Sequence, residues 1–384
     1  MRINMKWLRH PALLAPLFVA LAAGTACSSA PVKETAEIAK TSKMEETSKT
    51  AETAETAETA KTPESTKNEK IPIRVLILPK FEVGEMSGDF AGEAQLYYEK
   101  YLGEGVAEYT VRGVNESSRL YVKDGVALYL LGMGKVQAAL NTWAVLSDER
   151  FDFSNAYILS TGCSGSAAGS TVMGDVCLVT AAVDYDLGHH ADSRELENPA
   201  SFSWFRDSDF DDEAVRRLNP ELMDRVWSII QNVPVHTTEK TRAYMRQAFP
   251  GEEWADRDPG ILRGTTITSD NYWKGKYDHE NCIAAVKSYG CEDPFAVAEM
   301  EEIGVFKAAE KAGMLDRVIS LRDSVNMDVF VHGATPESLW AEKSGSAELA
   351  SEDSAESADI FETAMENNFA VGDVIIRAIL DGKL

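Results

Sequence analysis

The chain has 384 residues and a formal net charge of −24, from 62 acidic and 38 basic side chains. This excess of negative charge argues against a protein that binds nucleic acid or an anionic lipid surface. The length favours one large domain over two, with chain ends that do not have the composition of a folded core.

Residues 1–26 have the pattern of a secretory signal peptide. Arg2, Lys6 and Arg9 precede an apolar stretch at 12–23 that is too short to span a bilayer. Cys27 follows a run of small residues, as at a bacterial lipoprotein processing site, so we expect it to be lipidated; simple cleavage nearby is the alternative. The prediction is an exported protein, periplasmic or at the cell surface, held at the membrane only by a lipid anchor.

Residues 27–70 have the composition of a disordered tether. They contain T-A-E repeats at 50–58 and no aromatic residue. Such a segment cannot bury enough apolar surface to offset the entropy lost on ordering. The globular domain is therefore predicted at 71–384. No later apolar run approaches the roughly 18 residues that a membrane span needs, so the chain is not predicted to be a channel or carrier by itself.

The first part of this domain alternates predicted strands and helices. A buried type of strand at 73–78 precedes a helix at 93–102, and an apolar strand at 126–131 runs into a glycine turn and a helix at 136–146. This order places a polar ligand at a helix N-terminus, next to Gly134. The turn lacks the remaining residues of a nucleotide-triphosphate loop.

A second glycine turn is predicted between strands at 156–159 and 176–183. Gly162, Gly165 and Gly169 would let backbone N–H groups approach a bound molecule closely. A ligand-binding loop and a turn made of small residues for packing reasons are both consistent with this segment.

The rest of the domain continues the alternation after an insertion. Residues 187–261 are charged, helical in pattern and rich in proline, which predicts helices beside the sheet that could cover a site. A strand at 265–268, a helix at 295–312, a strand at 317–321 and a helix at 361–380 follow. The alternation predicts an α/β fold with a largely parallel sheet.

Four segments, in this order along the chain, resemble the nucleoside phosphorylase and nucleosidase superfamily. They are L-G-M-G-K-V-Q-A-A-L at 131–140, T-G-C-S-G with G-D-V within 161–176, A-E-M-E-E at 298–302, and the polar strand end from Arg322. The segments S-D-N-Y-W-K-G at 269–275 and L-R-D-S-V-N-M-D at 321–328, with the helical insertion, narrow the resemblance to the purine nucleoside permease family. The resemblance covers residues 71–384.

The resemblance implies a three-layer αβα sandwich that binds a purine nucleoside at the carboxyl ends of its strands. Met300 and Glu301 would contact the ribose, with the Glu301 carboxylate accepting hydrogen bonds from the 2′ and 3′ hydroxyls. Tyr272 or Trp273 would stack on the base. A solvated glutamate on a helix and aromatic residues of the core are the non-functional alternatives.

By the same resemblance, two residues are candidates for catalysis where the purine base would bind. Asp323 would protonate purine N7 as a general acid, which requires a raised pKa, and Asn326 would hold the base. The remaining residues predicted to bind substrate are Gly134, Gly162, Cys163, Ser164 and Arg322.

The sequence leaves open whether phosphate is a co-substrate. Ser160 stands where the hexameric phosphorylases carry a phosphate-binding arginine, and the first strand ends at Pro79 and Lys80 without a glycine-rich loop. Lys80, Lys135 or Arg322 could substitute for that arginine. No cofactor and no metal site are predicted, because the cysteines and histidines lack metal-ligand spacing.

Three functions compete. The first is an enzyme that cleaves the N-glycosidic bond of a purine nucleoside with phosphate or water. The second is a nucleoside-binding lipoprotein that captures ligand for a separate membrane carrier. The third is a serine hydrolase built on Ser164, although Ser166 stands where the nucleophile motif needs glycine. The superfamily also implies a homo-oligomer, and Cys282 with Cys291 could form a local disulfide bridge.

Overall fold

The computed structural model describes residues 69–112, 118–198, 203–337 and 355–384. The predicted signal peptide, Cys27 and nearly all of the tether therefore lie outside the described residues, and they stay predictions. Within the described ranges, no helix combines the length and the apolar composition that crossing a bilayer requires.

The predicted alternation of strands and helices is confirmed. The strands are β1 (Ile71–Pro72), β2 (Val75–Leu78), β3 (Ala107–Thr110), β4 (Arg119–Lys123), β5 (Val126–Tyr129), β6 (Phe151–Asp152), β7 (Tyr157–Ser166), β8 (Val176–Asp184), β9 (His189–His190), β10 (Trp204–Phe205), β11 (Val215–Arg217), β12 (Ile261–Thr268), β13 (Phe295–Glu299) and β14 (Val318–Met327). The α-helices are α1 (Gln95–Tyr101), α2 (Lys135–Leu146), α3 (Asp211–Ala214), α4 (Pro220–Ile230), α5 (Glu239–Ala248), α6 (Lys276–Ser288), α7 (Glu302–Lys311) and α8 (Ala355–Leu380).

A mixed sheet organises the domain. Its strand order is β11-β8-β12-β13-β7-β2-β5-β4-β3, and β14 pairs with both β7 and β8. The strands β8, β12, β13, β7 and β14 therefore close into a ring. Such a narrow ring needs small residues where its strands meet. A Cβ on Gly264 would lie 2.2 Å from the Cβ of Ala296, so only glycine allows this approach.

The sheet is covered by helices on both faces. All four residues of β2 are buried, as expected of a strand with helices on either side. The C-terminal helix α8 contacts β14, β7 and β2, and α1, α4 and α5 pack against α8, whereas α2 packs against α7. This arrangement confirms the predicted α/β fold class with a mixed sheet. The parallel pairings join β5, β2, β7 and β14 in the centre, and antiparallel β3 and β4 form one edge.

Two segments differ from the sequence-based predictions. The predicted turn that begins at Gly162 is strand, because β7 continues to Ser166 and its backbone pairs with β14 and β13. Residues 295–299, predicted as helix, form β13, and α7 begins only at Glu302. The β13 backbone pairs with β12 on one side and β7 on the other, and this pairing overrides the helical preference of the alanine and glutamate residues in F-A-V-A-E.

The four described cysteines, Cys163, Cys177, Cys282 and Cys291, are all free thiols. The local bridge considered for Cys282 and Cys291 is therefore not formed.

Candidate functional site

A cavity opens where β7, β13 and β14 end. The empty space in it, counted together with its open mouth, is about 790 Å³. Eight of the residues predicted to form the site line it: Cys163, Ser164, Tyr272, Trp273, Met300, Glu301, Arg322 and Asn326. The described residues of the predicted insertion at 187–261 do not line this cavity, so the described part of the insertion does not cover it.

Glu301 presents a buried carboxylate to the cavity. Its Oε1 accepts a hydrogen bond from the backbone N–H of Gly134 at 3.1 Å, and its Oε2 accepts one from Arg322 Nη2 at 3.2 Å. Gly134 precedes α2 with φ of +92°, a conformation that favours glycine. Gly134 is therefore placed behind Glu301 and orients it. Each carboxylate oxygen has a further lone pair for a ligand hydroxyl.

Arg322 is buried among carboxylates. Its Nη2 lies 3.2 Å from Glu299, 3.2 Å from Glu301 and 2.7 Å from Glu302. Its Nη1 donates to the carbonyl of Cys163 at 2.9 Å. Burial would raise the pKa of Glu302, but Lys80 and Arg322 outweigh burial and hold that pKa below its ordinary value. Burial raises the pKa of Glu299 to about 7 against the opposing effect of Arg322.

Lys80 is the second cation at the cavity, and it is buried as well. Its Nζ donates to Ser160 Oγ at 2.7 Å, to the carbonyl oxygens of Leu78 and Thr161 at 3.0 and 3.2 Å, and to Glu302 Oε1 at 3.3 Å. Burial and the nearby Arg322 lower its pKa, while Glu302 opposes them. Lys80 and Arg322 are thus both surrounded by protein acceptors, which leaves little capacity for a bound anion.

Glu93 is a cavity residue that the sequence analysis missed. Its Oε1 accepts from the backbone N–H of Cys163 at 2.8 Å, and its Oε2 accepts from that of Lys80 at 2.6 Å. No ion pair reaches its carboxylate in the part of the chain that the structure describes. A Cβ on Gly162 would lie 2.7 Å from the Glu93 oxygens, so glycine at this position admits the carboxylate. Burial raises the pKa of Glu93, with Arg322 and Lys80 opposing.

Asn326 and Asp328 also line the cavity. Asn326 is half-buried, and its Nδ2 makes only a long 3.4 Å hydrogen bond to the carbonyl of Met327. Asp328 accepts from the backbone N–H of Ala168 at 3.0 Å and pairs with His279 Nδ1 at 2.7 Å. The amide of Asn326 can therefore turn to a ligand, whereas the carboxylate of Asp328 is already engaged on both oxygens.

Asp323 does not line this cavity. It points to the opposite side of β14, into a small inner cavity between the sheet and helices α1 and α8. Its Oδ1 accepts from Asn368 Nδ2 at 2.8 Å, and its buried Oδ2 has no hydrogen-bond partner. Burial, and then the negative charge of Glu93, raise the pKa of Asp323 to about 8. The raised pKa suits an acid, but the position places the carboxyl behind the cavity wall.

The serine hydrolase alternative lacks its catalytic pair. Ser164 Oγ donates to the backbone carbonyl of Asp323 at 2.8 Å. The histidines in the described ranges have other partners, and these pairs are His189 with Asp207, His190 with the carbonyl of Tyr185, His236 with Glu366, His279 with Asp328, and His332 with Glu252. Burial, Glu93 and Asp323 raise the pKa of Cys163 far above the ordinary value of a thiol, so it is a poor nucleophile too.

No group of histidine, cysteine, aspartate or glutamate side chains within the described ranges is arranged to hold a metal ion. The cavity therefore offers carboxylates, one free amide and aromatic rings as its recognition groups. This set suits a neutral ligand with hydroxyl groups at one end and a flat, polar ring at the other.

The chain was compared with protein families, with individual proteins and with solved structures. The family model described as purine nucleoside permease matches residues 72–383. A probable purine nucleoside permease of Schizosaccharomyces pombe is 30% identical over 191 residues, which is 44% of this chain. The match spans 53%, or about half, of the length of that relative.

Solved structures are similar at low identity. The 5′-methylthioadenosine/S-adenosylhomocysteine nucleosidase of Neisseria meningitidis is 14% identical with a TM-score of 0.47, covering 79% of this chain and 99% of that one. The futalosine hydrolase of Helicobacter pylori is 12% identical with a TM-score of 0.48, covering 79% of this chain and 97% of that one.

Proposed function

The chain belongs to the purine nucleoside permease family, and from this premise we propose that its cavity binds a purine nucleoside and cleaves the N-glycosidic bond with water. The observation that supports cleavage by water is Glu93, a buried carboxylate that faces the cavity without an ion pair. Its raised pKa makes it a better general base than an ordinary glutamate.

The ribose is proposed to lie against Glu301 and Met300. The Glu301 carboxylate accepts from Gly134 and Arg322 and keeps lone pairs for the 2′ and 3′ hydroxyls. An ionised acceptor makes hydrogen bonds about twice as strong as a neutral one. Glu301 therefore orients the sugar and distinguishes ribose from deoxyribose.

Water is favoured over phosphate by the charge of the cavity. Phosphate would need a cation with free donors, but Lys80 and Arg322 are occupied by the glutamates and carbonyl groups around them. The surplus of carboxylates also repels an anion. The same surplus stabilises the positive charge that develops on the ribose in an oxocarbenium-like transition state.

In this reaction, a water oxygen attacks C1′ of the ribose while Glu93 takes a proton from the water. The bond from C1′ to the purine nitrogen breaks, and its electron pair leaves with the base. The Asn326 amide hydrogen-bonds the departing base, which takes a proton from solvent. Glu93 then releases its proton, so that atoms and charges balance.

Capture without cleavage is the second candidate function, and one observation favours it. At the base end, Asn326 is not an acid, Asp328 is engaged by His279, and Asp323 faces away from the cavity. A binding protein needs no acid there. In this case the chain would be an exported lipoprotein anchored through Cys27 that delivers nucleosides to a separate membrane carrier.

The decisive experiment incubates the purified full-length chain with inosine, adenosine or guanosine and measures free base with and without phosphate. Release that does not depend on phosphate is the expected result. Release only with phosphate would replace hydrolysis by phosphorolysis, and tight binding without release would favour capture. If no purine nucleoside binds, the proposed ligand is wrong.

Replacing Glu301 by glutamine is expected to weaken nucleoside binding on the order of 100-fold, because two charge-assisted hydrogen bonds to ribose become neutral ones. Isothermal titration calorimetry with a ribonucleoside and its 2′-deoxy analogue checks this. The preference of the unmodified protein for the ribonucleoside should shrink in the variant.

Glu310→Gln is the control, because Glu310 lies on α7, the helix that follows Glu301, is paired with Arg216, and is absent from the cavity wall. It should bind like the unmodified protein. An unchanged ribose preference in Glu301→Gln would exclude the role of Glu301.

A further inference from the structure

The aromatic wall of the cavity is carried by the loop at 269–275, between β12 and α6. Asn271, Tyr272 and Trp273 of this loop line the cavity. Tyr272 is 64% exposed, so burial contributes little to holding it. Trp273 packs against Tyr185 and Phe295, with ring centroids 6.0 and 6.4 Å apart. The polar contacts of the loop are therefore a second support for the position of the wall.

Asp186, two residues after the end of β8, is the centre of these contacts. Its Oδ1 accepts from Ser269 Oγ at 2.7 Å and from Asn271 Nδ2 at 3.1 Å, and its Oδ2 accepts from the backbone N–H of Asp270 at 2.7 Å. One carboxylate thus bonds three consecutive residues of the loop.

Lys135 completes the arrangement. Its Nζ lies 2.7 Å from Asp184 Oδ1 and 2.7 Å from Asp186 Oδ2, and its backbone N–H donates to Asp270 Oδ1 at 2.8 Å. Burial would lower the pKa of Lys135, but the two aspartates outweigh burial and raise it, so the side chain stays charged. This cation, considered for phosphate from the sequence, is instead used within the protein.

The start of α2 links Glu301 to the aromatic loop. The N–H of Gly134 holds the Glu301 carboxylate, and the N–H of the next residue, Lys135, holds Asp270 in the loop. Two adjacent amides therefore fix the proposed ribose acceptor and the aromatic wall relative to one another.

We infer that Lys135 and Asp186 are positioning residues that hold the aromatic loop at the distance from Glu301 that a purine nucleoside requires, and that they thereby set the affinity for the purine base. The inference rests on the proposed function for its ligand. The placement of the loop itself rests only on the contacts described above.

The first arm of the test needs no ligand. The full-length Asp186→Asn variant is digested with trypsin, and cleavage after Lys274 within the loop is timed. Loss of the ion pair to Lys135 is expected to speed this cleavage about tenfold, because the loop opens more often. Asp293→Asn is the matched control. Asp293 is exposed to a similar extent, it is also paired with a basic side chain, that of Arg263, and it lies away from the cavity.

The second arm measures binding of a free purine base, a ribonucleoside and its 2′-deoxy analogue by calorimetry. Asp186→Asn is expected to weaken the binding of the base and of the nucleoside by the same factor, about tenfold. The preference for the ribonucleoside over its 2′-deoxy analogue should stay unchanged. A general structural defect would instead change the ribose preference as well. Lys135→Met should reproduce the result from the other side of the ion pair.

The outcomes separate the two proposals. Unchanged tryptic cleavage overturns the inference, and so does faster cleavage with unchanged affinity for the base. If no purine binds to any variant, the proposed function fails, and the proteolysis arm still decides whether Lys135 and Asp186 hold the loop.

Discussion

Replacing Glu93 by glutamine is expected to lower the rate of base release by about 100- to 10,000-fold, the usual contribution of a general base. Glutamine has nearly the same shape but cannot take a proton from water. Because Glu301 and the aromatic loop are unchanged, nucleoside affinity should stay within a few-fold of the unmodified value. Single-turnover base release and calorimetric titration, on the same preparation, measure the two quantities.

Glu82→Gln is the control for Glu93→Gln. Glu82 accepts four backbone N–H groups, from Val83, Gly92, Ala94 and Gln95, but it does not line the cavity. The Glu82→Gln variant should lose at least as much local hydrogen bonding as Glu93→Gln and keep the turnover of the unmodified protein. Equal rates for the Glu93 and Glu82 variants would exclude Glu93 as the base.

Replacing Arg322 by methionine is expected to lower the free energy of unfolding by roughly 3–5 kcal/mol, the usual cost of removing one partner from a buried ion pair. Glu299, Glu301 and Glu302 would then remain buried with less compensation. Urea unfolding followed by circular dichroism measures the change.

Two further variants test the cause of that loss. Arg317→Met, just before β14, removes a single 3.0 Å bond to the carbonyl of Ala156 and should cost about 1 kcal/mol. Glu299→Gln combined with Arg322→Met should recover part of the lost stability, because Arg322 is the one cation paired with Glu299 in the described part of the chain, whereas Glu302 keeps Lys80. A double variant less stable than Arg322→Met would argue against uncompensated charge as the cause.

Local sequence patterns predicted much of the fold and part of the site. Buried runs such as 75–78 identified strands, and the A-E-M-E-E motif placed Met300 and Glu301 on the cavity. Residues 295–299, F-A-V-A-E, differ from the predicted helix, because alanine and glutamate favour helices and only the neighbours β12 and β7 make this segment a strand.

Glu93, the proposed general base, could not be found from local sequence. Its role depends on the N–H of Cys163, 70 residues away, and on the space left by Gly162. The placement of Asp323 was accessible in principle. Successive side chains of a strand point to opposite faces, so Arg322 facing the cavity implies that Asp323 faces away from it.

Burial of Asp323 in the inner cavity behind β14 couples folding to the uptake of a proton. An unfolded aspartate has a pKa of about 3.9, whereas that of Asp323 in the folded chain is raised to about 8. Between these values the folded chain holds a proton that the unfolded chain releases, so folding at neutral pH takes up a proton at this residue. Through Asp323, the folded state is therefore most favoured in acid and loses its advantage as pH rises from about 4 to about 8.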